Sequence, residues 1–430
     1  MVSLSVWPSK LSGEISAPPS KSYTHRALII AALADGESVI RGALLSRDTE
    51  ATISAIREIG AKVRQDNDKL IISGTGGEVN PRTRFIDAAN SGTTIRIMSA
   101  VSALSPNPVK LTGDESIVKR PMGPLIEALS KLGARGSCEG KDGRPPVIVG
   151  GGLRGGEVEI TGEVSSQFVS ALLIASPMAK EDVRIRITGK MRSRPYIEMT
   201  IKLMEMAGIR VKRDRELKNL KVDAGQVPEP ISFTVPGDFS SAAFPLGAAA
   251  LTDSSIKVNN LNVNMPQGDS RIVSILSDFG ADLKAVENSV YVEGCESLSG
   301  IEVDCGDNPD LVPILSVIGS FAEGRTRVTN VPHLRYKETD RIRALSLGMT
   351  KFGAVVKELD DGLCIEGKET LKGARVESYG DHRMAMAFAV AGLRASGRTV
   401  VDGAETIPVS YPGFISDMRK LGAKMETSPG

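Results

Sequence analysis

The 430-residue sequence is poor in the residue types that bind metal ions. It has three histidines and four cysteines. The cysteines lie far apart, and none has the CxxC or Cys/His spacing of a zinc site. Free thiols are typical of a protein in a reducing cytoplasm. We therefore expect no metal site and four unpaired thiols, at Cys138, Cys295, Cys305 and Cys364.

An excess of charge and a long apolar run are also lacking. Lys and Arg total 53 and Asp and Glu total 52, which leaves a net charge of +1 and no global field to attract nucleic acid or an acidic membrane. The apolar runs near 27–34 and 384–393 are much shorter than the roughly 20 residues of a membrane span. The N-terminus lacks the apolar core of a signal peptide. We expect a cytoplasmic protein whose anion sites are built locally.

What the sequence does contain is an internal repeat. An amphipathic helix tail, a glycine and a strand recur, as in IREIGAKV (56–63) and MTKFGAVV (349–356). Glycine after the last turn supplies the left-handed residue that ends a helix. The six glycines follow one another at spacings of 73, 75, 72, 73 and 69 residues and are Gly60, Gly133, Gly208, Gly280, Gly353 and Gly422.

This period predicts an α/β protein made of six small units. Units of about 70 residues with mixed helix and strand are too large for a simple solenoid. The polar segment 214–230, which contains two prolines, lies near the midpoint and is interpreted as a linker or exposed loop. Three units precede it and three follow it. We therefore expect two similar halves with a ligand-binding cleft between them.

In the first half, polar and basic residues recur where a loop enters a helix. Lys21, Ser22 and Arg26 lie at the start of a helix predicted from about Tyr23 to Ala34, where the helix dipole attracts anions. The turn NSGTT (90–94) enters another helix, and its backbone N–H groups are suited to phosphate or carboxylate.

Three further motifs of the first half have the same design. Arg120 precedes Pro121, which we expect to be the first residue of a helix. An apolar helix follows the polar side chains of SSQ (165–167), and MRSRPY (191–196) repeats this pattern.

The second half has a comparable set. Asp310 lies in a polar loop that opens an apolar helix, and HLRYKETDR (333–341) and DHR (381–383) precede further helices. Alone, a mixed charge run such as KETDR is typical of a salt-bridged helical face. Together, the helix starts predict a cleft that binds ligands rich in anionic groups, with arginines suited to bidentate contacts.

These motifs resemble the signatures of the 3-phosphoshikimate 1-carboxyvinyltransferase (EPSP synthase) family of enolpyruvyl transferases. The matching strings are PPSKS, NSGTT, KRPMGPL, SSQF, RPYIEMT, RYKETDR and GDHRMAM. The resemblance implies an inverse α/β barrel of two similar domains, each with three βαβ-type repeat units whose helices start at the interdomain cleft. The expected domains are 14–227 and 1–13 with 228–430, with the active site in the cleft between them.

The resemblance implies transfer of the enolpyruvyl group of phosphoenolpyruvate to the 5-hydroxyl of shikimate 3-phosphate, with release of phosphate. Asp310 would take the proton from the hydroxyl, and Glu338 with Lys21 would move the proton at the methylene carbon. The implied partners are these two small molecules, with no nucleic acid, no membrane, no cofactor and no metal, and the family suggests a monomer.

The resemblance also assigns binding positions. Those for shikimate 3-phosphate are Lys21, Ser22, Arg26, Ser165, Ser166, Gln167, Ser193, Tyr196, Asp310, His333 and Lys337. Those for phosphoenolpyruvate are Lys21, Asn90, Gly92, Thr93, Arg120, Gln167, Arg341 and Arg383. Asp48, Arg96 and His382 are supporting positions. Val409 stands where some relatives carry a lysine.

Two alternative functions can be distinguished from this enolpyruvyl transfer to shikimate 3-phosphate. The first is the sister enzyme that uses UDP-N-acetylglucosamine, which usually carries a reactive cysteine on the loop before the Arg-Pro step. The loop GDESIVKRP (113–121) has no cysteine. The second is a non-catalytic anion-binding protein, which would not need Asp310 and Glu338 beside the cations.

Overall fold

The computed structural model describes residues 2–295 and 297–430. Two compact units are present. We call residues 19–235 the middle unit, and residues 2–18 with 236–430 the end unit. The domain limits given by the sequence, and the cleft, stay predictions.

The helices alternate with short strands along the whole described chain. The α-helices are α1 (Lys21–Leu33), α2 (Arg47–Glu58), α3 (Gly92–Ala103), α4 (Gly123–Lys131), α5 (Ser166–Ala175), α6 (Arg194–Met206), α7 (Phe239–Leu251), α8 (Ile272–Asp278), α9 (Val312–Phe321), α10 (Arg341–Lys351), α11 (His382–Arg394) and α12 (Phe414–Lys420). Short 3₁₀ helices cover Ile117–Lys119, Lys141–Gly143, Ser176–Met178, Gly268–Arg271, Pro309–Leu311, Pro332–Tyr336 and Ala404–Val409.

The strands of the middle unit form three sheets of four strands. Their bounds are β3 (Glu37–Arg41), β4 (Lys62–Asp66), β5 (Lys69–Ser73), β6 (Phe85–Asp87), β7 (Val109–Thr112), β8 (Arg135–Gly140), β9 (Arg144–Gly150), β10 (Gly156–Thr161), β11 (Val183–Thr188), β12 (Val211–Arg213), β13 (Asn219–Val222) and β14 (Ser232–Thr234). The sheet orders are β14-β3-β5-β4, β6-β7-β9-β8 and β10-β11-β13-β12.

The end unit has three more sheets of the same kind. Its strands are β1 (Val2–Trp7), β2 (Ser12–Ser16), β15 (Ser255–Asn259), β16 (Asp282–Val286), β17 (Ser289–Glu293), β18 (Glu302–Asp304), β19 (Arg325–Thr329), β20 (Val355–Leu359), β21 (Gly362–Glu366), β22 (Arg375–Glu377), β23 (Thr399–Asp402) and β24 (Lys424–Pro429). The orders are β16-β17-β15-β2, β18-β19-β21-β20 and β22-β23-β1-β24.

All six sheets share one pairing pattern, so the predicted sixfold repeat is confirmed. In each, one edge strand pairs in parallel with its neighbour and the remaining pairs are antiparallel, as for β6, β7, β9 and β8. The parallel pair β6–β7 is connected through α3, which makes a βαβ unit.

Each unit of the repeat has one inner and one outer helix. The inner helices α7, α9 and α11 of the end unit are buried along nearly their whole length and pack on one another. A helix that is apolar on all sides is stable only inside a core. The outer helices, such as α10, bury one face only. This arrangement brings the first turns of the three inner helices of the end unit to the same end of their bundle.

The glycines of the repeat have the backbone conformation that the sequence predicts. Their φ angles are 115° at Gly60, 99° at Gly133, 77° at Gly208, 107° at Gly280, 93° at Gly353 and 105° at Gly422. L-residues with a side chain rarely adopt such angles. The glycines therefore set where each outer helix ends and the next strand begins.

Three local expectations differ from the structure. Helix α1 begins at Lys21 and not near Tyr23. Pro121 does not begin a helix, because the chain is extended at Arg120 and α4 starts at Gly123 with Pro124 in its first turn. The segment 214–230 is not wholly a loop, since its alternating buried side chains form β13. No helix of the described chain has the length and apolar content that crossing a membrane requires.

Gly353→Ala tests the role of the repeat glycines. A Cβ atom at this position would meet nothing within 4 Å, so the cost is one of backbone conformation alone. We expect the free energy of unfolding to fall by about 1–2 kcal/mol, measured by urea denaturation. Gly123→Ala, at a glycine without a positive φ and with only ordinary contacts, is the control and should change it by less than about 0.5 kcal/mol. Equal effects in both variants would contradict this explanation.

Candidate active site

Serine side chains cap the inner helices of the middle unit. Ser20, Ser91 and Ser165 accept hydrogen bonds from the backbone N–H groups of Tyr23, Thr94 and Gln167, at 3.5, 3.2 and 3.2 Å. The remaining N–H groups of a first turn have no partner within the helix and carry partial positive charge. The three capped starts therefore provide the anion-attracting elements that the sequence predicts.

Lys21 forms a buried ion pair at the start of α1. Its Nζ lies 2.9 Å from Oδ2 of Asp48, which is in the first turn of α2. The side chains are 15% and 7% exposed. Asp48 therefore fixes the position of the ammonium group, which supports its assignment as a supporting residue.

Arg26 is almost fully buried without a carboxylate partner among the described residues. Its Nε donates to Thr200 Oγ1 at 2.7 Å, and its other nitrogens donate to the Ser22 carbonyl and to Ser170 Oγ. The guanidinium lies over the ring of Tyr196, 5.8 Å from its centre. Burial lowers the pKa of Arg26 to about 10. A buried cation with neutral partners favours an anionic ligand.

The NSGTT turn begins α3 and is held by Gln167. Arg96 Nη1 donates to Gln167 Oε1 at 2.6 Å, and Gln167 Nε2 donates to Thr93 Oγ1 at 2.8 Å. The guanidinium of Arg120 lies against Gly92, where a Cβ atom would collide with it. The turn thus brings Gly92, Thr93, Arg96, Arg120 and Gln167 together, and Asn90 directly precedes its serine cap.

Ser166 shares the start of α5 with its cap Ser165, and Ser193 and Tyr196 lie at the start of α6. Ser166 is the first residue of α5. Ser193 precedes α6 with a left-handed backbone, φ 54° and ψ 38°, and is 7% exposed. Tyr196 lies in the first turn of α6, below Arg26. Most of the residues that the sequence assigned to the middle unit lie at or just before helix starts, whereas Arg26 and Arg96 lie in the second turns of α1 and α3.

In the end unit, the buried Arg341 joins three carboxylates. Its Nη1 lies 2.8 Å from Asp310 Oδ1, its Nη2 lies 2.8 Å from Glu338 Oε2, and its Nε lies 2.7 Å from Asp381 Oδ2. The Arg341 side chain is 2% exposed. Burial lowers the pKa of Arg341, but the charges of Asp381, Glu338 and Asp310 outweigh this and raise it.

Asp310 lies among three cations. Beside Arg341, Arg383 Nη2 is 3.3 Å from its Oδ2 and Lys337 Nζ is 3.8 Å from its Oδ1. Burial raises the pKa of Asp310, but Arg383, Lys337 and Arg341 together hold it well below its usual range. Asp310 is therefore an ionised carboxylate, which a general base must be before it accepts a proton.

Two of the three histidines, His333 and His382, lie close to residues of the Asp310 and Arg341 cluster in the sequence. His333 is 7% exposed in the 3₁₀ helix Pro332–Tyr336, which leads to Lys337. His382 is the first residue of α11, with Nδ1 4.0 Å from Asp381 Oδ1. Within the described part of the chain, no three His, Cys, Asp or Glu side chains are grouped as metal ligands.

Sequence reasoning assigned no role to two contributors to this cluster. Asp381 caps α11 through the N–H of Arg383 while it binds Arg341. Asp269, 3% exposed, accepts a hydrogen bond from Ser240 Oγ. The Asp-His-Arg string contained a signal for Asp381, because Asp is a favoured cap. The segment around Asp269 contained none, since its role depends on contacts distant in sequence.

Comparisons with known proteins agree with this architecture. The family model described as EPSP synthase (3-phosphoshikimate 1-carboxyvinyltransferase) matches residues 7–418. Proteins named 3-phosphoshikimate 1-carboxyvinyltransferase from Methanosarcina mazei and Methanothrix thermoacetophila are 46% and 48% identical, each over 99% of both chains. A solved EPSP synthase from Acinetobacter baumannii superposes with a TM-score of 0.84 at 28% identity, and the match covers 100% of each chain.

The pH dependence of stability tests the environment of Asp269. Burial, and then the charge of Asp310, raises the pKa of Asp269 from 3.8 to about 7. Its contribution to stability is therefore full below about pH 4 and is lost as the pH rises through about 7. Asp269→Asn cannot ionise, so we expect it to gain stability relative to the wild type between about pH 5.5 and about pH 8.5 in urea denaturation.

The control for this measurement is Asp278→Asn, on the exposed face of α8. Its stability relative to the wild type should be the same at both pH values. A flat difference for Asp269→Asn as well would contradict the raised pKa.

Proposed function

Because this chain belongs to the EPSP synthase (3-phosphoshikimate 1-carboxyvinyltransferase) family, we propose that it transfers the enolpyruvyl group of phosphoenolpyruvate to the 5-hydroxyl of shikimate 3-phosphate. The products are 5-enolpyruvylshikimate 3-phosphate and phosphate. The observation that carries the chemistry is the ionised Asp310 held among Lys337, Arg341 and Arg383.

In the proposed first step, Asp310 accepts the proton of the 5-hydroxyl. The hydroxyl oxygen attacks C2 of phosphoenolpyruvate, while C3 receives a proton, for which Glu338 and Lys21 are the proposed donors. General acid and base catalysis needs these two groups apart, so that one gives a proton while the other takes one. The result is a tetrahedral intermediate that carries the phosphate group.

In the second step, C3 loses a proton and the phosphate leaves. The double bond forms again, now on a carbon that is bonded to the acceptor oxygen. Negative charge develops on the leaving phosphate, so fixed cations lower the barrier. Arg120, Arg341 and Arg383 are proposed for phosphoenolpyruvate, together with Lys21 and the N–H groups of the NSGTT turn.

The acceptor is proposed to bind mainly through the middle unit. Arg26 and Ser22 would hold its carboxylate, because Arg26 is a buried cation whose protein partners are neutral. Ser165, Ser166 and Ser193 would bind its phosphate at the starts of α5 and α6, because first-turn N–H groups that have no partner within the helix attract anions. Lys337 and His333 are the contributions to the acceptor site that we propose for the end unit.

The alternatives are not favoured. The relatives named above carry the 3-phosphoshikimate name over nearly the full length of this chain. The loop 113–121 has no cysteine for the chemistry of the UDP-sugar enzyme. A protein that only binds anions would gain nothing from an ionised carboxylate placed between its cations, since it repels anions.

A coupled assay of phosphate release tests the proposal. The purified chain is supplied with phosphoenolpyruvate and either shikimate 3-phosphate or UDP-N-acetylglucosamine. We expect turnover with shikimate 3-phosphate alone. Turnover only with the UDP-sugar, or with neither acceptor, would contradict the proposed function.

Asp310→Asn tests the base. The amide cannot accept the proton, so we expect kcat to fall at least about a hundredfold while both substrates still bind, as measured by fluorescence or calorimetric titration. Asp278→Asn, an exposed change of the same kind in the end unit, is the control. A kcat within about threefold of the wild type would remove Asp310 from this role.

Lys337→Ala tests the acceptor site. Loss of a charged contact to the phosphorylated acceptor should raise its KM about tenfold or more. Lys351→Ala, an exposed lysine at the end of α10, is the matched control. An unchanged KM for shikimate 3-phosphate would contradict the assignment.

A further inference from the structure

A chain of buried hydroxyls connects three helices of the middle unit. His25 Nδ1 lies 2.7 Å from Thr52 Oγ1, Thr52 Oγ1 lies 2.7 Å from Thr94 Oγ1, and Thr94 Oγ1 lies 2.8 Å from Ser91 Oγ. All four residues have no exposed surface. The chain therefore runs from α1 through α2 to the serine that caps α3.

The hydrogen bonds of this chain have one direction. Ser91 Oγ accepts from both the N–H and the hydroxyl of Thr94. Because the Thr94 proton is used there, Thr94 Oγ1 must accept from Thr52. Thr52 then has no proton for His25, so the imidazole must donate from Nδ1.

The opposite side of the His25 ring supports this order. Its Nε2 is buried and has no hydrogen-bond partner among the residues that the structure describes. A second N–H there would be buried without an acceptor, which is costly. Burial, followed by the charges of Lys21 and Arg26, lowers the pKa of His25 well below its usual value. The ring is thus a neutral imidazole with its proton on Nδ1.

The chain ends at the turn proposed for phosphoenolpyruvate. The N–H groups of Gly92 and Thr93 follow Ser91 directly and have no partner among the described residues. On its other side, the same turn is held by Gln167 through Thr93. His25 lies in α1 four residues after Lys21, on the same face of the helix. The hydroxyl chain therefore connects the part of α1 that carries Lys21 to the NSGTT turn.

Stability alone does not explain these groups. Hydrogen-bonded pairs in a core can be replaced by apolar groups of the same shape at little or no cost. A directed chain does what an apolar contact cannot, because it fixes the rotation of the Ser91 hydroxyl and the angle of the α3 start. Rigid support of this kind keeps a binding group within the narrow tolerance that binding requires.

We propose that His25, Thr52 and Thr94 are positioning residues that orient the Ser91 cap and thereby the Gly92 and Thr93 N–H groups toward phosphoenolpyruvate. The inference rests on the proposed function, since that function identifies the ligand of the turn. The residues act through Ser91 and touch neither substrate.

Thr52→Val, which removes the middle hydroxyl while keeping the shape, tests the inference. We expect the KM for phosphoenolpyruvate to rise about tenfold, as for loss of other supporting hydrogen bonds, with the KM for shikimate 3-phosphate unchanged. Thr52→Ser restores the hydroxyl and should return the KM to within about threefold of the wild type. Thr52→Val and Thr94→Val together should cost little more than either alone, because each breaks the same chain.

The matched control is Thr326→Val. Thr326 is fully buried in β19 of the end unit, and its hydroxyl has no hydrogen-bond partner in the described part of the chain. Its loss should leave both KM values and kcat unchanged. If the wild type is active and a folded Thr52→Val variant keeps the wild-type KM for phosphoenolpyruvate, the inference is overturned but the proposed function is not. Wild type inactive with both acceptors would contradict the proposed function, and the inference would fall with it.

The tautomer gives a test that needs no turnover. The protein has only three histidines, so ¹⁵N-histidine NMR can resolve each ring. We expect one ring, absent from the spectra of a His25→Asn variant, to stay neutral with its proton on Nδ1 through about pH 6 to 8. An Nε2–H tautomer, or titration near pH 6.5, would overturn the directed chain.

Discussion

The ion pairs of one buried arginine determine how the end unit arranges its chemistry. Arg341 binds Asp310, Glu338 and Asp381 at once, with an almost completely buried side chain. Removing one partner of such a group leaves an uncompensated charge and is strongly destabilising. The starts of α9, α10 and α11 must therefore meet around Arg341, and Lys337 and Arg383 come to Asp310 as a consequence.

The middle unit solves a different problem with different groups. Serine caps, hydroxyls and an amide hold its helix starts, and Arg26 is bonded to neutral oxygens. Neutral partners leave the positive charge of Arg26 uncancelled, whereas Arg341 contacts three carboxylates. This contrast fits the proposed roles, in which Arg26 binds the carboxylate of the acceptor and the end unit supplies the base.

The sequence predicted those features that depend on neighbours along the chain. The repeat glycines, the capped helix starts and the six units follow from local rules of helix termination and strand alternation. Asp269 and the hydroxyl chain from His25 did not follow, because their roles depend on burial against distant segments. Pro121 was misassigned for a related reason, since Met122 bonds the Gly143 carbonyl and delays the helix.

The charge balance around Asp310 has a consequence for the proposed reaction. An ionised carboxylate whose pKa is held low by three cations is a weak base toward a hydroxyl. Anionic groups of the substrates that are proposed to bind Lys337, Arg341 and Arg383 would cancel part of that positive charge, and an adjacent negative charge raises the pKa of a carboxyl group. Asp310 would then become a stronger base only when its ligands are in place. The same three cations would thus bind the substrates and, by being neutralised, make the base effective at that moment.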